Sequence, residues 1–291
     1  VTVRHGIRPS ADFGGGILNF GGTLTIANST ISGNSTGYGA GISSIGGTLT
    51  VINSTVFGNS ANYKGGGIEN SNGTATITNS TISGNSAADS GGGVRNSVGQ
   101  MQIANSTISG NTAGHFGGGI HNYSDQMLVV TNTTISGNSA TFERGGGFAN
   151  EGPATVTNST IAGNTANQLG GGIWNFGSLA LNNTIITGNS ASAFPVDGNF
   201  SGVFSGGNNL IGAVTGFDLI LSDNGGPTKT HKLLAGSDAI DTGNNAAAVD
   251  AVSQSLTTDQ RGASPRQFNG TVDIGAYEFG AVIPNSPPTW T

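Results

Sequence analysis

Apolar residues recur along this chain in three short tracks, each interrupted by polar residues and glycine. The first track is Ile31, Val56, Ile82, Ile108, Ile135, Ile161 and Ile186. A second follows a glycine run: Ile17, Ile42, Ile68, Val94, Ile120, Phe148 and Ile173. The third is Ile26, Val51, Ile77, Ile103, Val130, Val156 and Leu181. Successive members lie about 26 residues apart, and self-similarity at such a fixed period signals stacked repeats. Segments such as "TLTI", "TATI" and "TISG" alternate with period two and carry β-branched residues. They are too short and too rich in glycine for helical repeats. The pattern therefore predicts an all-β fold, a right-handed parallel β-helix (β-solenoid) with three strands per turn. About seven regular rungs of ~26 residues at ~4.8 Å each give a rod of ~34 Å. Residues 1–190 form the repeats, 191–279 an irregular last rung and C-terminal cap module, and 280–291 a Pro-rich tail.

The polar positions repeat as faithfully as the apolar ones. The stretch "NSTISGNSA" (79–87) has close copies in six other turns. Stacking places Asn28, Asn53, Asn79, Asn105, Asn132, Asn158 and Asn183 in one column. A second holds Asn34, Asn59, Asn85, Asn111, Asn138, Asn164 and Asn189. A third holds Asn19, Asn70, Asn96, Asn122, Asn150 and Asn175, with Ser44 in the gap. Asparagine tolerates a tight corner, and its amide can donate to one neighbouring copy and accept from the other, so all three columns are expected to be amide ladders. The N-x-S/T matches within them are not expected to carry glycans, which do not fit where side chains stack every ~4.8 Å. Glycine runs such as 65–67 and 91–93 lack the Asp column of calcium-binding β-rolls and read as turns that admit no Cβ.

Composition narrows the function classes. The chain has 291 residues, 52 of them glycine, no cysteine, a net charge of −6 and only 8% charged residues. Disulfides and thiolate metal sites are excluded. Nine basic residues form no stripe able to neutralise a phosphate backbone, so nucleic acid is not an expected partner. No apolar run is long enough to insert into a membrane. There is no basic-then-apolar leader, so any signal peptide is expected to have been removed already.

After Asn189 the period loosens, and the words "NGGPTKTH", "GSDAID", "DQRG" and "DIGAYE" appear. Together with the Asn/Gly repeat they resemble bacterial surface proteins of the right-handed parallel β-helix class that end in a choice-of-anchor Q domain. That resemblance covers nearly the whole chain and implies secretion, with attachment at or release from the cell surface. Read physically, the module covers the last turn and blunts its strand edges.

Candidate chemistry is sparse. In the position after the second apolar track, Glu69, Arg95 and His121 fall on successive turns, with Trp174 two turns further on. The bland reading is a solvent-facing column with a weak surface ion pair and no second acid on that face. The active one is a carbohydrate-binding or carbohydrate-cleaving face. Asp238, Asp241, Asp259 and Asp273, with Glu278, Arg261 and Arg266, are the densest charge group. They read as Asp/Arg pairs and turn caps, with calcium the only ion considered and no other cofactor expected. Outward Thr ladders, such as Thr30/Ser32 and Thr81/Ser83 or Thr23/Thr25 and Thr48/Thr50, suggest ice or surface binding but are interrupted. The favoured expectation is a non-enzymatic, extracellular structural protein of adhesin type. Its partner would be itself, head-to-tail in a filament, or a cell-surface glycan.

Overall fold

The computed structural model describes residues 1–8, 12–193 and 198–283. It is an all-β parallel solenoid of about eight turns, and among the described residues its one helical element is a 3-10 turn at Asn245–Ala247. The three apolar tracks stack in the expected register, with Ile82 paired to Val56 and Ile108, Ile68 to Ile42 and Val94, and Ile77 to Val51 and Ile103. All pairings along these ladders are parallel, and their side chains form one continuous buried core. The period-two pattern explains this directly, because alternate residues of each short strand must point to opposite faces.

Each turn contains a fourth ladder that the apolar tracks do not reveal. It runs through seven strands from Ser35–Tyr38 to Ser190–Ala191, with Ala61, Ala87, Ala113 and Ala140 turned inward. Alanine is too small to stand out as a hydrophobic signal, so three strands per turn were expected where there are four. The loosened rung still stacks, since Phe200–Ser201 and Leu210–Ile211 close the Ile42 and Ile31 ladders.

Two of the three asparagine columns are amide ladders. Asn85 Nδ2 donates to Asn111 Oδ1 at 3.0 Å, and Asn111 Nδ2 to Asn138 Oδ1 at 2.9 Å, in a series running from Asn34 to Asn189. The column from Asn70 through Asn96, Asn122 and Asn150 to Asn175 is linked in the same way. The column from Asn28 to Asn183 is different, and the expectation of a ladder there is corrected. Its members sit at φ 46–51°, the left-handed region that asparagine tolerates better than other side chains. Asn28 and Asn53 are exposed, and Asn183 to Asn158 at 3.3 Å is the one amide-to-amide bond in this column among the described residues. These residues make corners, not rungs.

The C-terminal module also departs from expectation. It folds back along the flank of the solenoid, over the outward side of the Ile31 ladder. Gln260 bonds Thr134 Oγ1 at 2.6 Å and Thr107 Oγ1 at 3.0 Å, His231 Nε2 meets Ser136 Oγ at 2.9 Å, and Ala276 N donates to Thr160 Oγ1. Leu233, Ala239, Ile274 and Tyr277 pack on Ile185 as a second small core. Thr107, Thr134, Ser136 and Thr160 are thereby buried, so the T-x-S face is no continuous binding array. The Pro-rich tail assigned to 280–291 lies largely outside the described residues.

Candidate active site

The column Leu18, Ser43, Glu69, Arg95, His121, Ala149 and Trp174 is in register, as the spacing predicted. Its centre is buried, however: Glu69 is 3%, Arg95 7% and His121 4% exposed. The reading of a solvent-facing column is therefore corrected. The glycine runs are responsible. Just before each run, Lys64, Ser90, Phe116 and Arg144 form their own bridged column. Gly65 and Gly91 turn the chain at φ 65° and 66°, and a Cβ there would lie 2.8 Å from Glu69 Cβ and 2.6 Å from Arg95 Cβ. Without side chains at the bend, the two columns close into a concave corner. Lys64, Asp89, Ser90, Arg95, Phe116, His121, Tyr123 and Glu151 line a cleft of 330 Å³ there.

Ion pairs organise this cleft. Arg95 Nη1 bonds Glu69 Oε1 at 2.5 Å, His121 Nε2 meets Glu151 Oε1 at 2.9 Å, and Lys64 Nζ lies 3.4 Å from Asp89 Oδ2. Burial pushes the Glu69 carboxyl from 4.5 up to about 7, against the opposing pull of Arg95. Burial likewise lowers His121, against the pull of Glu151. A neutral imidazole then donates from Nε2 to the Glu151 carboxylate. Among the described residues, Glu69 Oε2, Arg95 Nε and His121 Nδ1 find no hydrogen-bond partner, so the buried pairs hold unused polar capacity.

The partly solvated members are Lys64, Asp89 and Glu151, with side chains 35%, 38% and 25% accessible. Aromatic rings frame them: Phe116 lies 5.8 Å from His121, and Tyr123, half exposed, 6.0 Å from it. The cleft thus brings Arg95 and His121 together with Glu69 behind them, whereas Trp174 stands apart. Ala149 separates it from His121, and it touches the cleft's Phe116 ring at 5.7 Å and the Arg144 guanidinium at 5.3 Å, with Phe176 also stacked on it.

A second acid does stand on this face, contrary to expectation. Glu151 was hidden because it lies in the next outward column, two residues beyond Ala149 as Tyr123 lies two beyond His121, and the loops that follow the shared Asn, "YSDQM" and "EGP", differ in length. Lys64 and Phe116 were legible as the residues just before a glycine run, and Asp89 lies one residue further back.

The other charge group is joined by ion pairs and backbone hydrogen bonds. Asp259 pairs with Arg261 at 2.6 Å and Arg266 with Glu278 at 2.8 Å. Asp273 accepts from the Asp241 and Phe279 backbones, and Asp238 from Thr215 N. The carboxylates of the four calcium candidates each accept from protein donors, that of Asp241 from Asn269 Nδ2, and no group of three or more His, Asp or Glu suited to a metal ion occurs among the described residues.

No protein-family model matches the chain, and neither does any curated protein. Among solved structures, the crystal structure of pectate lyase Pel9A superposes with a TM-score of 0.54 at 15% identity, over 95% of this chain and 69% of that one. The likeness establishes the fold. It also corrects the expectation of a non-enzyme, because the same architecture carries catalysis in that protein.

Proposed function

We propose that this protein binds an extended glycan against the concave corner and cleaves it at the cleft of Asp89 and Glu151. The observation that carries the reading is the convergence, in one accessible cleft with aromatic walls, of two partly solvated carboxylates, each held by a partner. Glycosidic cleavage by hydrolysis needs two carboxyl groups flanking the scissile bond, one giving and one taking a proton. Glu151 is oriented by buried His121, and Asp89 by Lys64. The buried Glu69–Arg95 pair forms the floor. Phe116 and Tyr123 offer apolar ring surface for sugars. The pectate lyase acts in its own case on an acidic polysaccharide, which puts uronate polymers on the substrate panel. A polymeric glycan of this kind is met outside the cell, so the protein works as a secreted or surface-exposed one.

Incubation with acidic and neutral polysaccharides, assayed for new reducing ends and for unsaturated products, tests this. Reducing ends alone indicate hydrolysis, and unsaturated ends indicate elimination. Either activity should disappear in Glu151→Gln. If no polysaccharide is bound or cut, the proposal fails.

A further inference from the structure

The cleft does not end at Tyr123 and Glu151. On their other side, where the strand Val94–Ser97 turns into Gln100–Ala104, a second and more open cleft of 610 Å³ shares both residues. Its walls are the apolar faces of Val98, Tyr123 and Pro153. Val98 is the unusual member. Gly21, Gly46 and Asn72 occupy the same corner in the preceding turns, all left-handed, and Val98 is held there at φ 59°. A β-branched residue is strained in that region. Val98 is also 47% exposed, so the strain does little for the core. Strain of this kind persists where the surface it creates is used.

We infer that this second cleft is a sugar subsite on the far side of the cleavage point, a reading that rests on the glycan function proposed above. A glycan filling both clefts crosses the solenoid over the four-residue strands of the Ile42 ladder instead of running along the rod. One segment lies against Phe116 and His121. The next lies on the Tyr123 ring, Val98 and Pro153, with Glu151 at the junction between them. Apolar ring faces of pyranosides match this lining, and the side chains of Asp125 and Ser178, which also line the cleft, can meet hydroxyls.

The test compares wild type with Val98→Asn and Val98→Gly on a long polysaccharide and on the shortest oligosaccharide that is cleaved. Both replacements suit a left-handed corner, so the melting temperature should hold or rise. Because any chain that is cut must lay a sugar on each side of Glu151, KM should rise about tenfold on both substrates with kcat little changed. Equal KM on both substrates in wild type and variants would overturn the subsite and leave the glycan function standing. Wild-type protein that neither binds nor cuts any glycan would overturn the function, and this inference with it.

Discussion

Glu69 and Arg95, 26 residues apart in sequence, meet across adjacent turns with side chains only 4% and 9% exposed. What the repeat spacing presents as a surface pair is a buried one, and buried pairs obey different energetics. Removing one partner leaves an uncompensated charge, which costs about 3–5 kcal/mol.

Arg95→Gln should therefore destabilise the protein in a pH-dependent way. The Glu69 carboxyl already sits above its unfolded value, at about 7 instead of 4.5, so its neutral form is the one the fold prefers. Stability from this group is present at low pH and lost as pH rises through 7. Loss of Arg95 removes the main force opposing that rise. Urea unfolding should show a larger gap between wild type and variant at pH 8 than at pH 5. A gap that shrinks with pH would contradict the burial argument.

The two kinds of asparagine column should respond differently to mutation. Asn111→Ala removes bonds to Ile82 O and Asn138 Oδ1 and leaves Asn85 N and Nδ2 without their acceptor. With orphaned buried groups costing about 1–3 kcal/mol each, a loss on the order of 3–5 kcal/mol is expected. Asn105→Gly, at a left-handed corner with φ 50°, should cost under about 1 kcal/mol. Denaturation midpoints of the two variants measure the contrast directly.

Docking of the C-terminal module should weaken on acidification. His231 is 2% exposed, with Nδ1 2.9 Å from Asp218 O and Nε2 2.9 Å from Ser136 Oγ. Burial lowers its pKa, so the neutral ring is the folded form. The unfolded chain binds the proton first as pH drops below about 6.5, and stability falls from there. Hydrogen exchange around residues 228–234 at pH 7.5 and pH 5 should show the loss of protection. Protection that does not change with pH would show that His231 does not gate this contact.

Activity and stability should separate at the partly solvated carboxylates. Glu151→Gln and Asp89→Asn are each expected to lower kcat by about 10²–10⁴, with melting temperatures within a few degrees of wild type because both side chains are partly solvated. His121→Ala acts through Glu151 and should shift the pH profile of kcat as well as lower it. Unchanged profiles would move the chemistry elsewhere.

The amino-acid sequence by itself determined the solenoid. Each turn repeats the previous one, so stacking puts Ile82 beside Ile108 and Asn85 beside Asn111 with no long-range information needed. The same periodicity placed Glu69, Arg95 and His121 on consecutive rungs. Periodicity cannot say how far a column is covered, because burial depends on what lies beside it. Only the tertiary structure shows the bend at Gly65 and Gly91 bringing Lys64 and Ser90 over Glu69 and Arg95. Glu151 reaches His121 through a loop of irregular length, and Gln260 and His231 reach the flank from more than ninety residues away. Those contacts join a repeating segment to non-repeating ones, and only three-dimensional packing sets their register.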